Sequence, residues 1–127
     1  MSIKYKVIER GQPGVVGGGT KKFYASTVQE GEVTLESLTK GIEKTSTVNG
    51  ADIRAVLYAM VEEAVNNLSE SRIIRLGDLG SLRISISSEG KEKAEDVNSS
   101  AIKESSVIFT PGSKIREMLA VAKYQKV

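Results

Sequence analysis

The sequence of 127 residues contains neither His nor Cys, so the side chains most often used in catalysis are missing from the outset. No imidazole base, thiolate nucleophile, disulfide framework or zinc site built on nitrogen or sulfur can form, and any metal would have to be held by oxygen alone. The acids worth naming are Asp78 and the adjacent Glu62 and Glu63. Neighbouring residues on a helix diverge by about 100° and cannot converge on one substrate. The glycine-rich stretch Gly14-Val15-Val16-Gly17-Gly18-Gly19-Thr20-Lys21 nearly spells a phosphate-binding loop. In that motif, however, the Lys precedes the Ser/Thr and opens a helix, whereas here the order is reversed and a strand-like segment follows. The expectation is a chain with no catalytic residue, cofactor, metal or small-molecule substrate. What is left is the chemistry of cations.

The 18 Lys and Arg nearly balance 16 Asp and Glu, giving a net charge of +2, yet the charges are unevenly placed. Residues 1–24 carry +4, residues 25–71 carry −5, residues 72–88 carry +2, residues 89–105 carry −2 and residues 106–127 carry +3. An uneven distribution can leave one face of a near-neutral fold attractive to a polyanion, because the field depends on where charges sit. No run approaches the roughly 20 apolar residues of a membrane span, and the first residues carry no apolar leader, so a cytoplasmic protein with no membrane partner is expected.

Alternation of Ile3, Tyr5 and Val7 with Lys4 and Lys6 predicts a first strand, and Lys21 to Val28 a second, joined by a mobile glycine-rich loop. At Thr34 the period changes. Thr34 can cap a helix carrying Leu35, Leu38 and Ile42 on one stripe and ending near Lys44 or Thr45. Asn49, with Asp52 three residues on, is placed to cap a second helix whose apolar set is Ile53, Val56, Leu57, Met60, Val61, Ala64, Val65 and Leu68. Strand character returns at Ile74 and Leu76, turns at Gly77-Asp78-Leu79-Gly80, and resumes with Leu82, Ile84 and Ile86. A polar excursion leads to a brief strand at Val107-Ile108-Phe109, broken by Pro111-Gly112, and a last helix begins near Ser113. Lys123 and Lys126 read either as part of the basic end or as a frayed tail.

This order of elements, with Arg75-Leu76-Gly77-Asp78-Leu79-Gly80-Ser81-Leu82-Arg83-Ile84 and Phe109-Thr110-Pro111-Gly112-Ser113-Lys114-Ile115-Arg116, resembles the histone-like bacterial DNA-binding proteins HU and integration host factor over about residues 33–124. With its N-terminal extension the chain looks like the HU-related proteins of Bacteroides-type bacteria. The resemblance implies an α+β fold: a β-hairpin over 1–32, then an HU-like domain over 33–127. That domain would have a two-helix hairpin, a three-stranded antiparallel sheet with a β arm at about 85–106, and a C-terminal helix.

It further implies a homodimer that binds double-stranded DNA in the nucleoid, largely without regard to sequence. Family arms lie in the minor groove and insert a Pro near the tip. Here no Pro occurs between Pro13 and Pro111, and residues 88–96 are acidic overall, so no intercalating residue is carried over and strong bending is not expected. The residues expected to contact phosphate are Arg72, Arg75 and Arg83 on the strands, Lys103 on the returning arm, and Lys114 and Arg116 at the last helix. The alternative is an HU-like module that has lost DNA and contacts protein instead.

Overall fold

The computed structural model describes residues 1–127 and has a mixed α+β architecture with three α-helices and two small sheets. Strands β1 (Ile3–Arg10) and β2 (Lys22–Thr27) form an antiparallel hairpin in which Tyr5 faces Thr27 and Arg10 faces Lys22. Between them the glycine-rich segment is not an open loop. A 3-10 turn over Val16–Gly18 closes it, with the Gln12 N–H donating to the Gly18 carbonyl at 2.7 Å and the Gln12 side chain to the Thr20 carbonyl at 2.8 Å.

Helix α1 (Leu35–Thr45) starts where Thr34 Oγ1 accepts the Ser37 N–H, and α2 (Gly50–Ser69) starts where Asn49 Oδ1 accepts the Asp52 N–H. Both caps satisfy donors that a helix cannot satisfy internally. The side chain of Asn49 donates in return to the Asp52 carboxylate at 3.0 Å. On α1 the buried residue is not one of the Leu/Ile stripe but Thr39, whose hydroxyl donates to the Leu35 carbonyl at 2.8 Å and so enters the interior satisfied. On α2, Gly50 and Ile53 are buried, and Leu57, Ala64 and Leu68 are half-buried.

The second sheet has the order β3 (Ile74–Arg75), β4 (Gly80–Ser88), β5 (Ile102–Pro111), antiparallel throughout. β5 is ten residues long where the residue pattern alone gives a brief strand at 107–109 and the resemblance a paired arm before it, because β4 supplies a ladder partner even where the side chains alternate no hydrophobicity. The register pairs Leu82 with Phe109 and Ile84 with Val107, so those residues, with Ile74 and Ile86, share one apolar face. The outer parts of β4 and β5 form the arm, whose tip over residues 89–101 holds two 3-10 turns.

Helix α3 (Ser113–Ala120) follows, and the chain then returns to the first sheet. Tyr124–Lys126 is a short strand, β6, parallel to β1, with Ile3 opposite Tyr124 and Tyr5 opposite Lys126. The tail is therefore not frayed. It gives the first sheet the order β2-β1-β6.

Candidate functional site

Two segments 35 residues apart in sequence are joined at the start of α3. The Gly112 N–H donates to the Leu79 carbonyl at 2.9 Å, the Lys114 N–H to the Asp78 carbonyl at 3.3 Å, and the Ser113 hydroxyl to Asp78 Oδ1 at 2.9 Å. Gly112 makes this approach possible, because a Cβ there would run into the Asp78 carbonyl and stand 2.8 Å from the Gly80 nitrogen, and Gly80 is needed for the turn to lie against β5. The Gly80 φ of +150° and the Phe109 ring 2.7 Å from where a Cβ would stand leave no place for a side chain.

The junction walls an open recess of about 370 Å³. Its lining residues bring together two arginines, Arg75 and Arg116, three hydroxyl-bearing residues, Ser81, Thr110 and Ser113, and the turn residues Gly77, Gly80, Pro111 and Gly112. The recess lies at the N-terminal end of α3, where Gly112 provides no side-chain cap and the first turn carries no acid. The N–H groups of Ser113 and Ile115, which have no backbone partner, and the positive end of the helix dipole add to the charges of Arg75 and Arg116. The nearest named carboxylate is Asp78, held by Ser113. Such a recess suits an oxyanion that accepts several hydrogen bonds.

Pairing places Arg75 opposite Ser81, two residues before Arg83, so Arg75 and Arg83 project from the same face of the sheet. Ser85, Ser106 and Thr110 share that face, with Ile108 opposite Arg83 as its apolar member, whereas the opposite face is apolar in Ile74, Leu82, Ile84, Ile86, Val107 and Phe109. Glu104, paired with Ser87, also falls on the face of Arg75 and Arg83, farther out along the arm.

The six residues singled out from the sequence differ in their surroundings. Arg75, Arg83, Lys103, Lys114 and Arg116 are exposed and take part in none of the four ion pairs of the chain. Arg72 does. Its guanidinium lies 3.0 Å from a Glu70 carboxylate oxygen and donates to Asn67 Oδ1 at 3.0 Å, so its charge is spent closing the end of α2. Arg72 and Arg83 line a second, smaller recess of about 300 Å³ with Ile73, Ile84 and Ile86. Lys103 sits at a register irregularity, where Ser87 pairs with Glu104 but Ser88 with Ile102. Lys114 lies about 200° around α3 from Arg116 and does not line the recess. The recess hydroxyls were not singled out from the sequence. Their signal was the Thr110-Pro111-Gly112-Ser113 entry to a helix with no acid after it.

At the arm tip Glu89, Glu92, Glu95 and Asp96 outnumber Lys91 and Lys93, and Lys91 is paired with Glu89 at 3.2 Å.

A strand, a glycine turn, a projecting two-stranded arm and a following helix around a basic floor define an HU-like domain. Residues 1–126 match the HU-HIG family, described as an HU domain fused to wHTH, Ig, or Glycine-rich motif, and the chain belongs to that family. No curated protein matches it. Among solved structures it is similar to a protein of Bacteroides vulgatus ATCC 8482 described as a bacterial DNA binding protein, with a TM-score of 0.66 and 14% identity. The likeness covers 99% of this chain and 48% of that one, so the chain spans about half the length of that solved relative.

Proposed function

We propose that this chain is an architectural, largely sequence-independent binder of double-stranded DNA. On this reading it works as a homodimer in the bacterial nucleoid, belongs to the Bacteroides-type HU-related group, and is not an enzyme. One observation carries the reading: Arg75 shares a sheet face with Arg83 and a recess with Arg116, and none of the three is in an ion pair. Such a surface meets a phosphate chain with bidentate donors and leaves base edges unread. The DNA-binding description of the solved relative and the HU domain of the family point the same way.

The arm departs from a wrapping, wedging device. Its acidic tip, without Pro, opposes phosphate, so bending is expected to be weak. That same tip favours the second reading, a module that holds a basic protein partner instead.

A titration of a mixed-sequence duplex with the wild type and with Arg75→Glu/Arg83→Glu separates the two. For DNA binding, log K of the wild type falls by about 0.9 per phosphate neutralised for each log unit of salt, and the double variant binds poorly. Absence of binding in both proteins would leave the protein-partner reading.

A further inference from the structure

The register of the first sheet sorts its side chains as sharply as that of the second. Ile3, Tyr5 and Val7 share a face with Phe23, Ala25 and Tyr124. Lys4, Lys6, Ile8 and Arg10 take the other, opposite Gln125, Ser26, Tyr24 and Lys22, while Lys126, opposite Tyr5, falls on the first. The three strands contain one acid, Glu9, and it lies on the apolar side. On the basic side Lys4 is paired with Glu30 from the following loop at 3.5 Å, while Lys6, Arg10 and Lys22 are exposed and unpaired. The Arg10 guanidinium is stacked 4.7 Å from the centre of the Tyr24 ring, which fixes its plane while leaving its N–H edge free.

We infer that this face, with Lys6, Arg10 and Lys22 as its cations, is a second contact surface for the sugar-phosphate chain of duplex DNA, separate from the floor around Arg75. The inference rests on the reading that the chain binds duplex DNA. Three features favour a nucleic-acid backbone over another anion. Lys6 and Arg10, four residues apart on β1, stand roughly 13 Å apart, about two phosphate spacings along one strand of DNA, with Lys22 beside Arg10 on β2. The face offers no exposed apolar wedge for a lipid surface, since Ile8 and Tyr24 are half-buried and the Tyr24 ring lies against the Arg10 guanidinium. The sheet is also tied to the floor: α3, whose first turn lines the recess, is about 12 Å long and leads through residues 121–123 into β6.

The test measures duplex binding by fluorescence anisotropy at several salt concentrations for the full chain and for Lys6→Gln/Arg10→Gln/Lys22→Gln. The expected result is a salt slope about 2.7 smaller for each sheet engaged, so that between about 50 and 200 mM salt the variant loses roughly fortyfold less affinity than the wild type. A Lys6→Arg/Lys22→Arg variant, which keeps the charge, retains the wild-type slope if the effect is electrostatic. A variant that folds normally by circular dichroism and binds with the wild-type slope overturns the inference and leaves the floor reading intact. Wild-type protein that binds no duplex overturns both. Capture of phosphatidylserine vesicles that depends on these three residues, with DNA binding unchanged, assigns the face to membrane and also overturns it.

Discussion

Arg72 and Arg75 are three residues apart and equally basic on paper, yet their surroundings give them different work. The charge of Arg72 is answered by Glu70 and its donor by Asn67, whereas Arg75 faces a recess of hydroxyls and glycine backbone with Arg116 beside it. Arg75→Ala should therefore lower the salt slope of duplex binding by about 1 and leave stability nearly unchanged. Arg72→Ala should leave the slope unchanged and cost at most about 1 kcal/mol, since an exposed ion pair contributes little. Equal slopes for the two variants would contradict this division. The glycines of the turn divide in the same way. Gly77 has a φ of +61° with open space around it, while at Gly80 a side chain would meet the Thr110 carbonyl and the Phe109 ring. Gly77→Ala should cost about 1 kcal/mol, the ordinary penalty of a left-handed residue, and Gly80→Ala about 3 kcal/mol, because β5 must also move. Urea unfolding of the two variants measures both.

At the scale of elements, what could be read from the sequence was local. Thr34 and Asn49 announced their helices because a cap and the N–H that donates to it lie within three residues. The glycine turn and the entry to α3 were readable for the same reason, and so were Arg75 and Arg83 as members of alternating strands. Features made by distant partners were not. β5 looked short because Ser105 and Ser106 carry no pattern, yet β4 gives them a ladder. β6 is three residues without a period of its own, and its partner β1 lies at the opposite end of the sequence. The pairing of Arg72 was hidden because it depends on how the end of α2 unwinds, bringing the Arg72 N–H to the Asn67 carbonyl. The dependence of β1 on β6 is testable. Ile3 donates to the Lys123 carbonyl at 2.8 Å and Val127 to the Tyr5 carbonyl at 3.0 Å, so β6 covers the Ile3–Tyr5 part of one edge of β1. Removing residues 123–127 should accelerate amide exchange in β1 and β2 while leaving α2 protected. Unchanged exchange in the hairpin would show that β1 and β2 hold together without β6.

For the whole molecule the governing fact is how little of it is covered. Only five of 127 residues are buried, far fewer than a chain of this length needs to fold alone. The apolar set of α2 spans about half of the helix circumference, from Val56 through Ile53 to Val65. Its centre is covered within the chain, but both flanks are open: Val56 is 66% exposed and Val65 56%. The apolar face of the second sheet is likewise unfinished, with Phe109 45% exposed and Val107 54%. No single solvent-exposed arrangement of these surfaces is stable at ordinary cost, since each buried Val, Leu or Phe is worth roughly 1.5–3 kcal/mol. A second copy that brought its own α2 flanks and sheet face would close both surfaces with the same residues that it leaves open. Folding would then be a two-chain reaction. The stability should rise by about 1.4 kcal/mol for each tenfold increase in protein concentration, and light scattering should give the mass of two chains. Val61→Glu/Val65→Glu, which places charge on one flank without touching the basic floor, should abolish both the concentration dependence and the cooperative transition. A transition independent of concentration, together with the mass of one chain, would mean that something other than a second copy covers α2.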